Sequence, residues 1–263
     1  MIGVIGAGAM GEVFVAGLIR GGTAPGRLVI CEKVDERARE VAERHGVRVV
    51  TVSEAARECA TILLLVKPQD VSGVLEELGH HLADGAVVIS LAAGVRLVAL
   101  ESGLPRAAVV RAMPNTPALV DLGITAISPG ESCAPDQVDY VESLLSAVGP
   151  VVRVPEELQD AVTATSGSGP AYVFRLIEAM VQGSVDLGVP PDVARQLVVQ
   201  TVLGAATMAA RPGADAATLR TQVTSPGGTT AAALGVFDEG DLMGLVAAAM
   251  RAARDRGREL GRE

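Results

Sequence analysis

The sequence predicts an α/β chain in two parts, a doubly wound parallel sheet followed by an all-helical domain. Three observations carry this expectation. Short β-branched runs alternate with helical patterns through the first half of the chain, the signature of parallel βαβ units. Several runs, such as Ile62-Leu63-Leu64-Leu65-Val66, are apolar throughout, as befits strands covered on both faces. After about Pro155 the strand signals stop and helical spacing takes over. At about 150 residues per domain, the 263 residues suit this division, placed at 1–155 and 156–263.

In order, residues Ile2 to Ile5 read as a strand and Ala9 to Arg20 as a helix, then Leu28 to Cys31 as a strand and Asp35 to His45 as a helix. Val47 to Val50, Ile62 to Val66 and Val87 to Ile89 continue the strand series, with helices between them. Val109-Val110 and Ile124 to Ile127 carry the sheet on to Val151-Val152. Beyond it, Val173, Leu176, Ile177, Met180 and Val181 share one helical face, and Val193, Leu197, Val198, Val202 and Leu203 share another. Gly188-Val189-Pro190-Pro191-Asp192 stops the first of these helices and starts the second, and Arg211-Pro212-Gly213 ends it. The segment from Glu239 closes the chain as an amphipathic helix.

Composition excludes several function classes. With 22 basic against 31 acidic residues the net charge is −9, opposite in sign to what a phosphate backbone requires, and only 2% of residues are aromatic. Nucleic acid is therefore not an expected partner. Mean hydropathy is high at +0.39, yet the longest charge-free stretch, Thr221 to Phe237, contains Ser225-Pro226-Gly227-Gly228 and cannot form a spanning helix. No membrane span and no signal peptide are expected. The three widely spaced cysteines, Cys31, Cys59 and Cys133, suit free thiols in a reducing cytoplasm and form no zinc pattern, so no metal is expected. The apolar excess points instead to burial between subunits.

Gly6-Ala7-Gly8-Ala9-Met10-Gly11 is a G-x-G-x-x-G turn between the first strand and the first helix. In that setting its glycines serve a tight turn, close approach of a pyrophosphate, and helix–strand packing. The helix start offers free N–H groups to the phosphates, and a Rossmann-type dinucleotide site follows. Glu32 stands about 20 residues further on, where a carboxylate bonds the ribose hydroxyls of NAD. Lys33 follows it, and Arg37 and Arg39 lie on the next helix, where a solvated face also accounts for them. The choice between NADH and NADPH stays open.

Three segments stand at expected strand ends, where parallel sheets bind ligands: Val66-Lys67-Pro68-Gln69, Leu91-Ala92-Ala93-Gly94, and Arg111-Ala112-Met113-Pro114-Asn115-Thr116-Pro117. The helical half holds Ser166-Gly167-Ser168-Gly169-Pro170-Ala171-Tyr172 and Val223-Thr224-Ser225-Pro226-Gly227-Gly228-Thr229-Thr230. In this order the motifs closely resemble the pyrroline-5-carboxylate reductases, over essentially the whole chain. The resemblance implies reduction of a cyclic imine to L-proline with NAD(P)H. It also implies a C-terminal helical domain for dimerisation and substrate, in homodimers that can assemble to decamers.

Residue by residue, the resemblance assigns Gly6, Ala7, Gly8, Ala9, Met10 and Gly11 to the cofactor phosphates, and Val66, Lys67 and Pro68 to the nicotinamide-ribose side. Ala92 and Ala93 would line the cofactor cleft, with Asn115 on the neighbouring loop and Gln222 near the nicotinamide. Substrate contacts would come from Ser225, Gly228, Thr229 and Thr230, with Glu156 close to the ring. Relatives often carry small hydroxyl residues or an Arg at the adenosine end, so Glu32-Lys33 departs from the pattern.

The chemistry agrees with this resemblance. Hydride transfer to C=N needs a cofactor against one face of the carbon, an anchor for the carboxylate, and a proton on nitrogen. A cyclic imine is basic enough to arrive partly protonated, and the loops hold no His-Asp pair. Ser225 to Thr230 leads glycine-rich backbone into a helix start, a cradle for a carboxylate, with the Thr230 hydroxyl available to the ring nitrogen as the catalytic group. Locally, Thr229 or Thr230 could equally cap the helix over a glycine turn. Ser168 reads as an N-cap, with Pro170 in the first helical turn. A β-hydroxyacid dehydrogenase of similar architecture would need a lysine in the first long helix of the second domain, where Gly183-Ser184 offers no amine.

Overall fold

The structure is a computed structural model and describes residues 1–261. Its strands are β1 (Ile2–Ile5), β2 (Leu28–Cys31), β3 (Arg48–Val49), β4 (Thr61–Leu64), β5 (Val87–Ser90), β6 (Ala108–Met113), β7 (Thr125–Pro129) and β8 (Val151–Arg153). Among the described residues they form one sheet in the order β3-β2-β1-β4-β5-β6-β7-β8. The helices between them are α1 (Ala9–Arg20), α2 (Asp35–His45), α3 (Val52–Glu58), α4 (Val71–Gly79), α5 (Leu97–Gly103) and α6 (Pro135–Leu145).

Strand alternation sorts the core into two layers. Val4, Ile30, Leu63 and Ile89 pack with Phe14 and Leu18 of α1, Val41 of α2 and Val141 of α6. Ile5, Val29, Ile62 and Val88 face the other way, against Ala55 of α3, Leu75 of α4 and Leu100 of α5. Both faces being covered, strands such as Thr61–Leu64 are buried at every position. The order reverses between β1 and β4, the place where such sheets leave a crevice at their carboxyl edge.

The sheet is parallel from β3 through β6, whereas β7 runs antiparallel to β6 and β8 follows β7. The link from β6 to β7 holds only a short turn of helix, Thr116–Val120, too little for a crossover back over the sheet. Arg111, Ala112 and Met113, expected to follow β6, lie within it. Cys31, Cys59 and Cys133 are free thiols, and burial pushes the first two up to about 12 and about 11.

The chain divides into two compact units: Met1–Ser168 with the segment from Ala253 onward, and Gly169–Ala252. The first therefore extends beyond β8 through α7 (Gln159–Val162) and a π-helical turn, Thr163–Gly167. Gln159 is fully buried and donates from Nε2 to Ser128 Oγ on β7 at 2.8 Å, which ties this segment to the sheet.

Ser168 does not act as an N-cap. It has helical φ and ψ, and its N–H donates to the Thr163 carbonyl at 2.8 Å, continuing the wide turn. The hydroxyls of Thr163, Thr165 and Ser166 each donate to the carbonyl four residues back, the bonding that widens and bends helices.

The second unit contains α8 (Gly169–Asp186), α9 (Pro191–Ala209), α10 (Ala216–Gln222), α11 (Thr229–Glu239) and the start of α12 (Leu242–Leu260). Gly188, at φ +91, turns α8 into α9, and Pro191 occupies the first position of α9. Within this unit only Ala194 and Val198 are buried among the apolar side chains described, while Phe174, Leu176, Leu197, Leu203 and Val236 are all exposed. Apolar faces of this extent on a helical unit call for a partner surface. No described helix is long and apolar enough to cross a membrane.

Candidate active site

Two of the three loop glycines are explained by the fold itself. Gly6 has φ +95, and a Cβ there would stand 2.7 Å from the Leu65 carbonyl oxygen. At Gly11 a Cβ would collide with the carbonyl oxygen of Gly6, so glycine lets α1 sit close against its own entry turn. Gly8 is different: its φ is an ordinary −62 and a Cβ would meet nothing within 4 Å. It is the N-cap of α1, with no side chain capping the helix, and the first intrahelical bond runs from Glu12 N–H to Gly8 O. The N–H groups of Ala9, Met10 and Gly11 thus lie at an uncapped, open helix start. This is a cradle that a side chain would fill, and its donors suit a pyrophosphate.

At the adenosine end, Glu32 turns back onto the loop. Its Oε2 accepts from Ala7 N–H at 2.9 Å and its Oε1 from Val34 N–H at 3.2 Å. Lys33 is exposed and pairs with Asp70 at 2.6 Å, just beyond the Lys67-Pro68 turn. Behind the loop, Glu12 of α1 accepts hydrogen bonds from Arg37, Arg44 and His45, all on α2. Burial alone would raise the Glu12 carboxyl; the bonds from His45, Arg37 and Arg44 outweigh it and hold the group at about 2.

A carboxyl lowered on folding stabilises the protein above its unfolded value of 4.5, and that contribution fades as pH falls toward about 2. Its ceiling is about 3 kcal/mol. Urea denaturation at stepped pH is therefore expected to show Glu12→Gln less stable than the wild type at pH 7. The gap should narrow below pH 4.5 and close near pH 2. A pH-independent gap would contradict this account of Glu12.

The other expected cofactor residues gather along the carboxyl edge. Gly6 lies against Leu65 and Val66 after β4, with Val66 half-buried and Lys67 and Pro68 exposed. After β5, Ala92 is buried and Ala93 exposed. Asn115 follows β6, and its Oδ1 accepts from Ile124 N–H at 2.9 Å, closing the loop back to β7. Met113, at the end of β6, lies close to Gly167 of the π-helical turn.

Glu156 lines a cavity of about 330 Å³ with Gly94, Arg96, Arg111, Asp160 and Arg258, all in the first unit. Its Oε1 accepts from Leu97 N–H at the start of α5 at 2.6 Å and from Arg111 Nη1 at 3.1 Å. Arg111 is buried in β6 and also faces Asp160 at 3.8 Å. The sequence motifs assign Arg111 no role of its own. The available signal was a guanidinium within the apolar run Val109-Val110-Arg111-Ala112, which calls for a buried carboxylate partner.

In the second unit, Gln222 ends α10 and is exposed. Ser225-Pro226-Gly227-Gly228 forms a turn of the type II pattern, with proline second, Gly227 at φ +68 third, and Gly228 N–H donating to the Ser225 carbonyl at 3.0 Å. A Cβ at Gly228 would collide with Ser225 Oγ, so the turn holds that hydroxyl against the helix start. Gly228 is the N-cap of α11 and no side chain caps it. Thr229 and Thr230 are therefore not caps. Thr201, Thr207, Thr221 and Thr224 all donate to carbonyls four residues back, whereas Thr229 and Thr230 lie in a first helical turn that offers no such carbonyl. Their hydroxyls and the N–H groups of the first turn make a second open helix start, whose donors suit an anion.

Residues 156–260 match the family described as pyrroline-5-carboxylate reductase dimerisation, and residues 1–94 match the one described as NADP oxidoreductase, coenzyme F420-dependent. The chain is 42% identical over 264 residues to a pyrroline-5-carboxylate reductase of Synechocystis, covering 100% of this chain and 98% of that protein. It is similar in structure to a pyrroline-5-carboxylate reductase of Coxiella burnetii, with a TM-score of 0.94 at 38% identity over 98% of this chain and 97% of that one. The pyrroline carboxylate reductase of Plasmodium falciparum, solved with NADP bound, gives a TM-score of 0.87 at 26% identity, covering 99% and 97%.

Proposed function

The chain belongs to the pyrroline-5-carboxylate reductase family, and we propose that it reduces the cyclic imine 1-pyrroline-5-carboxylate to L-proline with NADH or NADPH. The observation that carries this is a likeness running through both units, substrate loop included, rather than through the dinucleotide half alone. When bound, the reduced nicotinamide supplies the hydride.

Gly6, Ala7, Gly8, Ala9, Met10 and Gly11 hold the cofactor phosphates, and Glu32 and Lys33 serve the adenosine end. Val66, Lys67 and Pro68 meet the nicotinamide-ribose side, with Ala92, Ala93 and Asn115 lining the cleft and Gln222 near the nicotinamide. Ser225, Gly228 and Thr229 anchor the substrate carboxylate at the open start of α11, a role supported by its uncapped N–H groups. Thr230 Oγ positions the ring nitrogen, which arrives protonated, so the chain needs no strong acid there. Glu156, already oriented by Arg111 and Leu97 N–H, lies close to the substrate ring.

The test is spectrophotometric. Addition of the imine to protein and reduced cofactor should oxidise NADH or NADPH, while a β-keto acid should not. Oxidation with the keto acid alone would instead favour a dehydrogenase of the β-hydroxyacid type.

The protein works as a homodimer in the cytoplasm and can build to a decamer. The exposed apolar faces of α8 and α9 and the dimerisation match support self-association. Light scattering is expected to give at least two chains of 26.8 kDa, and a monomer alone would contradict it.

A further inference from the structure

A solvated helix face is one account of Arg37 from the sequence, yet its side chain is only 26% exposed. Its Nε donates to the Ala7 carbonyl at 3.0 Å, and its Nη2 pairs with Glu12 of α1. Ala7 itself is fully buried, and its N–H is taken by Glu32. Both polar groups of Ala7 are therefore held by side chains, one from the end of β2 and one from α2. Glu32 ties the same loop to the entry of α2 through Val34 N–H, and Glu12 is held in turn by Arg44 and His45. Arg39, two residues along, donates to the Asp35 carbonyl of its own helix.

We propose that Arg37 is a positioning residue of the dinucleotide site. With Glu32 it clamps Ala7 so that the N–H groups of Ala9, Met10 and Gly11 are aimed before the cofactor arrives. A guanidinium suits this because its fork holds a carbonyl and a carboxylate at once, which a single ammonium does not. Preordering the loop raises affinity without adding a contact to the ligand. Because the clamp acts on loop backbone and not on the adenosine phosphate, it serves NADH and NADPH alike. The inference rests on the dinucleotide reading of the Gly6–Gly11 loop, but not on the identity of the substrate.

The test is fluorescence titration of the full-length protein with NADH and with NADPH, without substrate, alongside melting curves. Arg37→Gln is expected to weaken both cofactors by about tenfold, by similar factors, with kcat at saturating cofactor within about twofold of the wild type. Arg37→Lys keeps the charge beside Glu12 and should melt near the wild type, yet still weaken both cofactors. That variant carries the test if Arg37→Gln fails to fold.

Unchanged affinities in folded Arg37→Lys would overturn the proposal. So would loss of NADPH alone, which would make Arg37 a ligand of the 2′-phosphate. A wild type that binds neither dinucleotide refutes the loop reading and this proposal together. One that binds them but spares the imine refutes only the assigned reaction.

Discussion

Gly8→Ala is expected to weaken NADH and NADPH by about tenfold or more, while melting within a few degrees of the wild type. The new methyl meets nothing in the protein and the backbone is in a region any residue adopts, so the fold loses only the difference between Gly and Ala at an N-cap, about 0.5–1 kcal/mol. What the methyl fills is the space over the open N–H groups of α1, where a pyrophosphate must come close. Gly11→Ala is the matched control: its Cβ collides with the Gly6 carbonyl, so stability and binding should fall together. If Gly8→Ala binds both cofactors as the wild type does, the phosphates lie elsewhere.

Thr230→Ala is expected to lower kcat/KM for the imine by about 10- to 100-fold, the range for a hydrogen bond to a charged group in a site, with cofactor affinity unchanged. The helix should not notice the change, because Thr230 caps nothing and α11 is capped by Gly228. Thr230→Ser should retain most of the activity. Thr224→Ala makes a useful comparison, since its hydroxyl is already committed to the Arg220 carbonyl. Equal losses in substrate and cofactor binding for Thr230→Ala would return Thr230 to a structural role.

These expectations differ in how far the sequence alone could reach them. The boundaries of β1, α1, β2 and α2 are legible to the residue, because apolar runs meet glycines and charged helix starts at their ends. The reversal of β7 was not, since direction depends on which strand it pairs with and on a link too short for a crossover. Ser168 looked like a cap because Ser-Gly-Ser-Gly-Pro contains the usual cap and first-turn residues. The wide turn that replaces the cap arises from three hydroxyls bonding backward and from Gln159 holding the segment on β7.

The same contrast runs through the site. The local pattern singles out the Gly6–Gly11 loop, and the family resemblance the Ser225–Thr230 turn, because the features of both lie in consecutive backbone groups. Arg37, Glu12 and Arg111 act across elements, and spacing along the chain shows only the face on which each stands. Even Glu32 carries more than its position suggested: each carboxylate oxygen already accepts a backbone N–H. Its loss should therefore loosen the loop for both cofactors as well as alter the ribose end. The apolar excess of the composition is also located, on helix faces of the second unit that stand exposed in a single chain.

The central claim is that this chain makes L-proline from the cyclic imine, and the most direct measurement follows product and cofactor together. Purified full-length protein would be incubated with 1-pyrroline-5-carboxylate and NADH or NADPH, and proline quantified by chiral chromatography against reduced cofactor consumed. The account predicts one L-proline per reduced cofactor oxidised, with either cofactor or with both. Folded protein that binds a dinucleotide but forms no proline, or consumes cofactor without forming it, would contradict the claim.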